Sequence, residues 1–258
     1  MPDGREGILR HGFQRRKEYM KEYMVKKYAQ FWLHQVKVYG HTSYHQNMVS
    51  MINSIGWRLN GRKMLECGIG TAYPFAMEFA QRGWHVYGVD IASVLIKECY
   101  ENAKKAGLHI HSHVGDVESL PYMDSIFDLT YCLQSTWYFV DLKQAIGEMI
   151  RVTKPGGYII FDIMNLISPI VLRQQFATWC NWLLALPKML AKWILKGTPI
   201  RMPMWEINPT VPARLHRILR YRSVDYITTT PDETQDIEHL TPVNWFHHRL
   251  VYILQKWK

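Results

Sequence analysis

Short apolar runs alternate with longer amphipathic stretches between Arg62 and Asp162. Such runs are typical of strands buried in a parallel sheet, and the stretches between them are typical of helices. The predicted strands are Lys63–Cys67, Trp84–Val89, His109–Val114, Phe127–Leu133 and Tyr158–Phe161. The clearest predicted helices are Ala92–Ala106, closed by Gly107, and Asp141–Thr153, stopped by Pro155 with Gly156 and Gly157. This alternation predicts βαβ units.

The flanking segments add further elements. Two β-rich runs, Arg222–Thr229 and Arg249–Gln255, are expected to complete the sheet. Near the N-terminus, apolar residues recur at helical spacing and predict one or two helices laid over the core: Met20, Met24, Tyr28 and Phe31. We therefore expect an N-terminal helical cap (1–60), a central core (61–165), an insertion (166–221) and C-terminal strands (222–258).

The insertion has an unusual composition. Ser168 and Pro169 predict a helix start, and residues 176–186 are apolar around nearly the whole helix until Pro187, which is expected to break it. Lys188, Lys192 and Lys196 then follow at four-residue spacing. Asn181, Pro187 and Lys188 interrupt the stretch too often for it to span a bilayer. Three interpretations remain: a lid over an apolar pocket, a peripheral patch (176–196) on an anionic membrane surface, or a helical hairpin packed on the sheet or in a dimer interface.

Charge is distributed unevenly along the chain. The net charge of +9 arises from residues 1–60 (+6) and 168–222 (+8), whereas 61–167 (−3) and 223–258 (−2) are acidic. Basic segments favour a negatively charged or membrane-borne partner. The four cysteines form no CxxC pair, and the N-terminal residues lack an apolar run. We therefore expect a cytoplasmic protein, with peripheral membrane contact as a further hypothesis.

A glycine-rich turn carries the strongest chemical signal. Residues 65–71 (LECGIGT) follow the first predicted strand, and glycines at such a turn let a ligand approach the backbone. Asp90 lies twenty residues after Gly70, at the end of the second strand, where its carboxylate can accept from both hydroxyls of a ribose. Because Tyr73 replaces the third glycine of a dinucleotide fingerprint, a cofactor without pyrophosphate is favoured over NAD.

Three further segments occur in a characteristic order. Residues 115–122 (GDVESLPY), 127–129 (FDL) and 151–157 (RVTKPGG) resemble the GDAxxLPF, FDLV and RVLKPGG segments of class I S-adenosylmethionine-dependent methyltransferases, particularly the ubiquinone and menaquinone methyltransferases. The resemblance covers about residues 60–165. It implies an α/β, Rossmann-like fold with a seven-stranded, mostly parallel sheet, a reversed last strand and a helical insertion after the fifth strand. It also implies methyl transfer from S-adenosylmethionine, leaving S-adenosylhomocysteine.

The resemblance also implies roles for individual residues. The implied cofactor-binding residues are Glu66, Gly68, Ile69, Gly70, Asp90, Ile91, Asp116, Val117 and Gln134. Of these, Glu66, Gly68 and Gly70 would line the methionine part and Asp90 would hold the ribose. Ile91 and Asp116 would contact the adenine with Val117 beside them, and Gln134 would lie near the sulfonium. Ala72 departs from the family pattern, in which many members have a third glycine, and this puts the turn geometry in question. Candidate acceptor-pocket residues are Tyr28, Trp137, Tyr138 and Trp205, with core packing as the alternative for each.

Other functions are less well supported by the sequence. Residues 133–138 lack the Asn/Asp-Pro-Pro-aromatic tetrapeptide of nucleic-acid amino-methyltransferases, and no RNA-binding module is recognisable. His41 with His45, and His109 with His111 and His113, have spacings that metals use, but no acidic or thiol ligands cluster with them, so no metal is expected. The sequence identifies no catalytic base. We expect a methyltransferase acting on a small, hydrophobic or amphipathic acceptor, the alternative being a non-catalytic binding or scaffold protein of the same fold.

Overall fold

The computed structural model describes residues 17–33, 42–196, 209–231, 237–238 and 243–258. Seven strands form one sheet: β1 (Lys63–Cys67), β2 (His85–Asp90), β3 (Ile110–Val114), β4 (Phe127–Cys132), β5 (Thr153–Met164), β6 (Val224–Thr229) and β7 (Arg249–Lys256). Their spatial order is β3-β2-β1-β4-β5-β7-β6, and β7 runs antiparallel to both of its neighbours. The predicted mostly parallel sheet with a reversed last strand is therefore confirmed.

The helices of the described chain are α1 (17–33), α2 (Ser43–Gly56), α3 (Phe75–Gln81), α4 (Ser93–Lys105), α5 (Leu142–Val152), α6 (Pro169–Lys196) and α7 (Pro212–Leu219). A short 3-10 helix covers Thr136–Tyr138. Predicted strand and helix limits between Arg62 and Val152 differ from these bounds by at most one residue. The agreement is close because β1 and β4 are almost wholly buried and each helix ends at a glycine or before a strand.

Alternating side chains of the strands build two cores, one on each face of the sheet. On β5, Tyr158 and Ile160 face a core formed with α2 and α3, whereas Ile159 and Phe161 face a core formed with α5 and α7. A strand places successive side chains on opposite faces, so an apolar run serves both cores. These cores hold the central strands rigidly and fix the positions of the loops at their carboxyl ends.

Two expectations are wrong: the break of the insertion helix at Pro187 and the start of the fifth strand at Tyr158. Pro187 does not break the insertion helix, because α6 continues through it to Lys196. Proline removes a single N–H, and the neighbouring leucines, Met189 and Ala191 favour helix strongly enough for it to continue. Pro155 and the following glycines lie within β5, after α5 has already ended at Val152. Pairing with β4 shifts register between Phe127 and Leu129, and this irregularity accommodates a residue that cannot donate to the ladder.

The histidines of β3 pack against aromatic rings at the edge of the sheet. His111 stacks on Tyr87 at 4.8 Å, and His113 meets Tyr122 edge-on at 6.2 Å between ring centroids. Within the described ranges, no three His, Cys, Asp or Glu side chains are grouped so that they could hold a metal ion. In the same part of the chain, no helix combines the length and apolar character needed to cross a membrane.

Candidate active site

A cleft opens at the carboxyl edge of the sheet, beside the adjacent strands β1 and β4. β2 and β3 continue the sheet on one side of this pair and β5 on the other, so the strand order reverses here. Open α/β sheets bind ligands at such a reversal because neighbouring loops diverge and leave a crevice. The space between its walls, counted out to the open mouth, is about 1160 Å³.

The turn between β1 and α3 forms one wall of the cleft and depends on left-handed backbone conformations. The φ angle is 80° at Gly68, 56° at Gly70 and 73° at Ala72. A Cβ on Gly68 would lie 2.6 Å from Ser135 Oγ, whereas a Cβ on Gly70 would meet no atom within 4 Å. The open space at Gly70 is a cradle that a ligand can fill. Ala72 adopts the conformation for which a glycine is better suited, so the departure in sequence leaves the turn geometry in place.

Asp90 ties this turn to the end of β2. Its Oδ2 accepts from the Gly70 N–H at 3.0 Å, and its Oδ1 accepts from the Ala92 N–H at 2.9 Å. Burial raises the pKa of this carboxyl above its ordinary value, although the backbone donors oppose that shift. Each oxygen retains a lone pair, so the carboxylate can still accept from a vicinal diol in the cleft.

A lysine of α1 reaches across the opposite end of the cleft. Lys21 Nζ lies 2.7 Å from Glu118 Oε2 and also contacts Asp116 Oδ2. The other oxygen of Glu118 accepts from the N–H groups of Val140 and Asp141, each at 2.8 Å. This network holds α1 over the cleft and connects the loops that follow β3 and β4.

Comparisons with known proteins agree with this architecture. A sterol methyltransferase-like protein of Botryococcus braunii is 36% identical over 38% of this chain and 26% of its own length. A malonyl-[acyl-carrier protein] O-methyltransferase of Erwinia billingiae is 30% identical over 49% of this chain and 47% of its own length. The chain thus aligns with about half or less of these relatives. The magnesium protoporphyrin IX methyltransferase of Synechocystis, solved with bound SAH, shares the fold with a TM-score of 0.58 at 15% identity, covering 93% of this chain and 99% of that one.

Residues 65–161 match the family model described as a methyltransferase domain. The chain contains a class I S-adenosylmethionine-dependent methyltransferase domain. The matched residues run from β1 to β5 and include the glycine turn, Asp90, Asp116 and Gln134. The reversed β7 and the helices α1, α2, α6 and α7 lie outside the match.

All nine residues that the resemblance assigns to the cofactor line the one cleft: Glu66, Gly68, Ile69, Gly70, Asp90, Ile91, Asp116, Val117 and Gln134. The donor set suits S-adenosylmethionine, the cofactor of this family. The cradle at Gly70 lies beside a carboxylate that can accept from a ribose, and a second carboxylate, Asp116, lies near the apolar side chains of Val117 and Leu95. The methyltransferase domain therefore offers both polar and apolar surfaces that fit this molecule.

Glu66 is a buried acid of the methyltransferase domain with a strongly raised pKa. Its side chain is only 4% exposed, and its pKa is raised to about 8 by burial, although the Tyr131 hydroxyl donates to its Oε2 at 2.8 Å. A carboxyl with this pKa is mostly protonated at neutral pH. A ligand ammonium group placed beside it would favour the ionised form and lower the pKa.

Gln134 has a left-handed backbone conformation at the end of β4, with φ at 60°. Its N–H donates to Asp162 Oδ1 at 2.8 Å, and the Tyr44 hydroxyl donates to Asp162 Oδ2 at 2.8 Å. Asp162 is fully buried; burial raises its pKa above the ordinary value, against the opposing effect of the Arg249 charge. Residues held in such a conformation need support, and Asp162 supplies it from β5.

The candidate acceptor residues are distributed differently. Tyr28 of α1 and Tyr138 both line the cleft, and their ring centroids are 4.9 Å apart. Trp137 is buried outside the cleft lining, with the Arg249 guanidinium 5.2 Å from its ring centroid. The 3-10 turn sends these adjacent aromatic side chains in different directions. Trp205 lies outside the described residues.

Several cleft residues were not predicted. Lys21, Trp32 and Tyr73 line it, and so does Glu118. Glu118 lies within the segment resembling GDAxxLPF, so the sequence contained a signal for it. Lys21 and Trp32 reach the cleft only because α1 packs through Ala29 against Leu95, a contact between distant parts of the chain that no local pattern encodes.

Proposed function

We propose that this protein transfers a methyl group from S-adenosylmethionine to an oxygen, nitrogen or carbon nucleophile of a small, hydrophobic or amphipathic molecule. The observation that carries the proposal is the convergence of the glycine cradle, Asp90 and Asp116 with the Tyr28–Tyr138 pair in one cleft. One part of this cleft suits a nucleoside, and the other offers aromatic surface to a second molecule.

Each polar residue would have a distinct part in binding. Asp90 would accept from the ribose hydroxyls, and Glu66 would face the ammonium of the methionine part. Asp116 would accept from the adenine amino group once Lys21 releases it and keeps only its contact with Glu118. When bound, the cofactor supplies an electrophilic methyl group on a sulfonium. The chain's own residues supply placement, and holding two reactants in line contributes about 7–11 kcal/mol to lowering the barrier.

Helix α1 would shape the acceptor side of the cleft. Met24, Val25 and Trp32 contribute apolar surface beside Tyr28, which favours a hydrophobic or amphipathic acceptor. The relatives named for a sterol and for malonyl-[acyl-carrier protein] are consistent with acceptors of this character. No histidine lines the described cleft, so Tyr28, Tyr73 or Tyr138 would hold or accept a proton where the acceptor is a hydroxyl.

Calorimetric titration with S-adenosylmethionine, and in parallel with NAD, tests the cofactor assignment. We expect saturable binding of S-adenosylmethionine alone. Asp90→Ala removes two charge-assisted acceptors and should weaken binding about a hundredfold or more, and Gly68→Arg should abolish it by steric clash with Ser135. Asp225→Ala, an exposed acid on β6, is the matched control and should bind like the parent. Unchanged affinity in Asp90→Ala would show that the site lies elsewhere.

Transfer itself is tested with S-adenosylmethionine carrying a labelled methyl group and a panel of amphipathic and apolar acceptors. Label appearing in an acceptor with the parent, and not with Gly68→Arg, is the expected result. Saturable cofactor binding without transfer to any acceptor would instead favour a binding or scaffold protein.

A further inference from the structure

Helix α6 displays an unusual amount of apolar surface. Beyond Val171, no side chain that the structure describes in this helix is buried. Phe176 is 71% exposed, Leu184 78% and Ile194 72%. Large contiguous apolar surfaces on a folded protein mark places where another molecule or a membrane binds.

The exposed apolar residues of α6 form a stripe. Leu172, Phe176, Leu183, Leu190 and Ile194 are exposed and are separated by four or seven residues. These spacings return to the same side of an α-helix, so the five side chains share one face. From Leu172 to Ile194 the stripe extends for about 33 Å. The less exposed residues Gln175, Trp179 and Trp182 lie along one edge of the stripe.

The charge of α6 restricts what can cover this stripe. The helix contains Arg173, Lys188, Lys192 and Lys196 and no Asp or Glu. Arg173 and Lys188 are exposed; at 100° per residue, Arg173 lies beside the stripe and Lys188 on the polar side that faces away from it. In a symmetric dimer the same patch meets itself, so two helices that each carry four basic residues and no acid would lie side by side. A partner with acyl chains for the stripe and negative charge for the basic residues satisfies both features.

We propose that α6 docks on the surface of an anionic lipid bilayer, with the stripe inserted among the acyl chains and the basic residues of the polar side near the headgroups. The helix lies in the plane of the interface, as amphipathic helices with basic polar faces do. Each basic residue near the surface adds attraction to anionic lipid, and salt weakens that attraction.

Co-sedimentation with vesicles tests the proposal. The full chain is mixed with vesicles of phosphatidylcholine alone and of phosphatidylcholine and phosphatidylglycerol in equal amounts, at low and high salt. We expect binding to the mixed vesicles, little binding to phosphatidylcholine alone, and weaker binding as salt is raised. Equal binding to both compositions at all salt concentrations would overturn the role given to the basic residues.

The stripe is tested with the double substitution Phe176→Asp and Leu183→Asp. Both side chains are exposed, so the variant should fold and bind S-adenosylmethionine like the parent while its partition to mixed vesicles falls about tenfold or more. The control carries the same two charges elsewhere, as Tyr100→Asp and Met123→Asp, where the side chains are also exposed, and should partition like the parent.

Two results would overturn the docking proposal. One is parental vesicle binding by the Phe176→Asp and Leu183→Asp variant with its fold intact. The other is a parent that does not bind mixed vesicles but forms a dimer in sedimentation equilibrium that this variant abolishes. Either outcome leaves the proposed methyl transfer untouched, because cofactor titration reports on the cleft independently of α6.

Discussion

At the scale of single residues, Glu66 shows how burial changes a carboxyl group. It lies on β1, inside the sheet, and its carboxyl group accepts from the Tyr131 hydroxyl and from the Ala76 N–H. Loss of hydration disfavours the ionised form more than these two donors favour it, so the pKa rises from 4.5 to about 8. The protonation state of the cleft therefore depends on what binds beside this residue.

Glu66 leads to a prediction about stability and pH. Between pH 4.5 and 8 the folded protein keeps a proton on Glu66 that the unfolded chain has lost, so the free energy of unfolding falls as pH rises through this window. Replacing Glu66 with Gln removes this dependence. We expect the advantage of Glu66→Gln over the parent to be about 3–4 kcal/mol larger at pH 8 than at pH 5, measured by urea unfolding at both values. The same difference at both would mean that the folded carboxyl is already ionised.

At the scale of elements, α1 completes the cleft without belonging to the matched domain. Its contacts are spread along its length: Lys17 pairs with Asp141 at 2.8 Å, Lys21 reaches Glu118, and Tyr28 packs on Tyr138. Ion pairs at partly exposed positions contribute modestly to stability. A helix held in this way is suited to opening and closing over a ligand.

The lysine bridge predicts how fast the cofactor leaves. Lys21→Met removes the link from α1 to Asp116 and Glu118, so the open state should become more populated and S-adenosylmethionine should dissociate about three- to tenfold faster. Stopped-flow fluorescence can follow release through Trp32, which lines the cleft. Lys26→Met on the same helix, at an exposed position, serves as the control. Identical release rates for parent and Lys21→Met would exclude α1 as the gate.

The elements also show what the sequence could and could not predict. Strands β1 and β4 were located closely because burial on both faces leaves a local apolar signature. The turn at Gly68 could be located because its backbone conformation favours glycine. Pro187 was misjudged because a local helix-breaking rule was outweighed by the helix propensity of its neighbours. Lys21 could not be paired with Asp116, since the contact depends on how α1 packs against α4. Trp137 is next to Tyr138 in the sequence but does not line the cleft, because neighbouring side chains of the 3-10 turn point in different directions.

At the scale of the whole molecule, the cleft depends on both halves of the sheet. β1 and β2 supply the glycine turn and Asp90, β4 supplies Gln134, and β5 supports Gln134 through Asp162. A ligand that contacts all of these segments binds only the folded arrangement. Its binding free energy is therefore added to the free energy of unfolding.

This linkage predicts a thermal shift that reports on the intact site. At a concentration one hundred times its Kd, S-adenosylhomocysteine should stabilise the protein by about 2.7 kcal/mol, which for a chain of this size raises Tm by about 5–10 °C. Calorimetry or thermal fluorescence measures the shift, with NAD as the negative control. Asp90→Ala should lose the thermal shift because it removes acceptors at the end of β2, and Gly68→Arg should lose it because the arginine fills the turn after β1. Asp225→Ala should retain the shift. A full shift in Asp90→Ala would mean that the ligand stabilises the fold through a different surface.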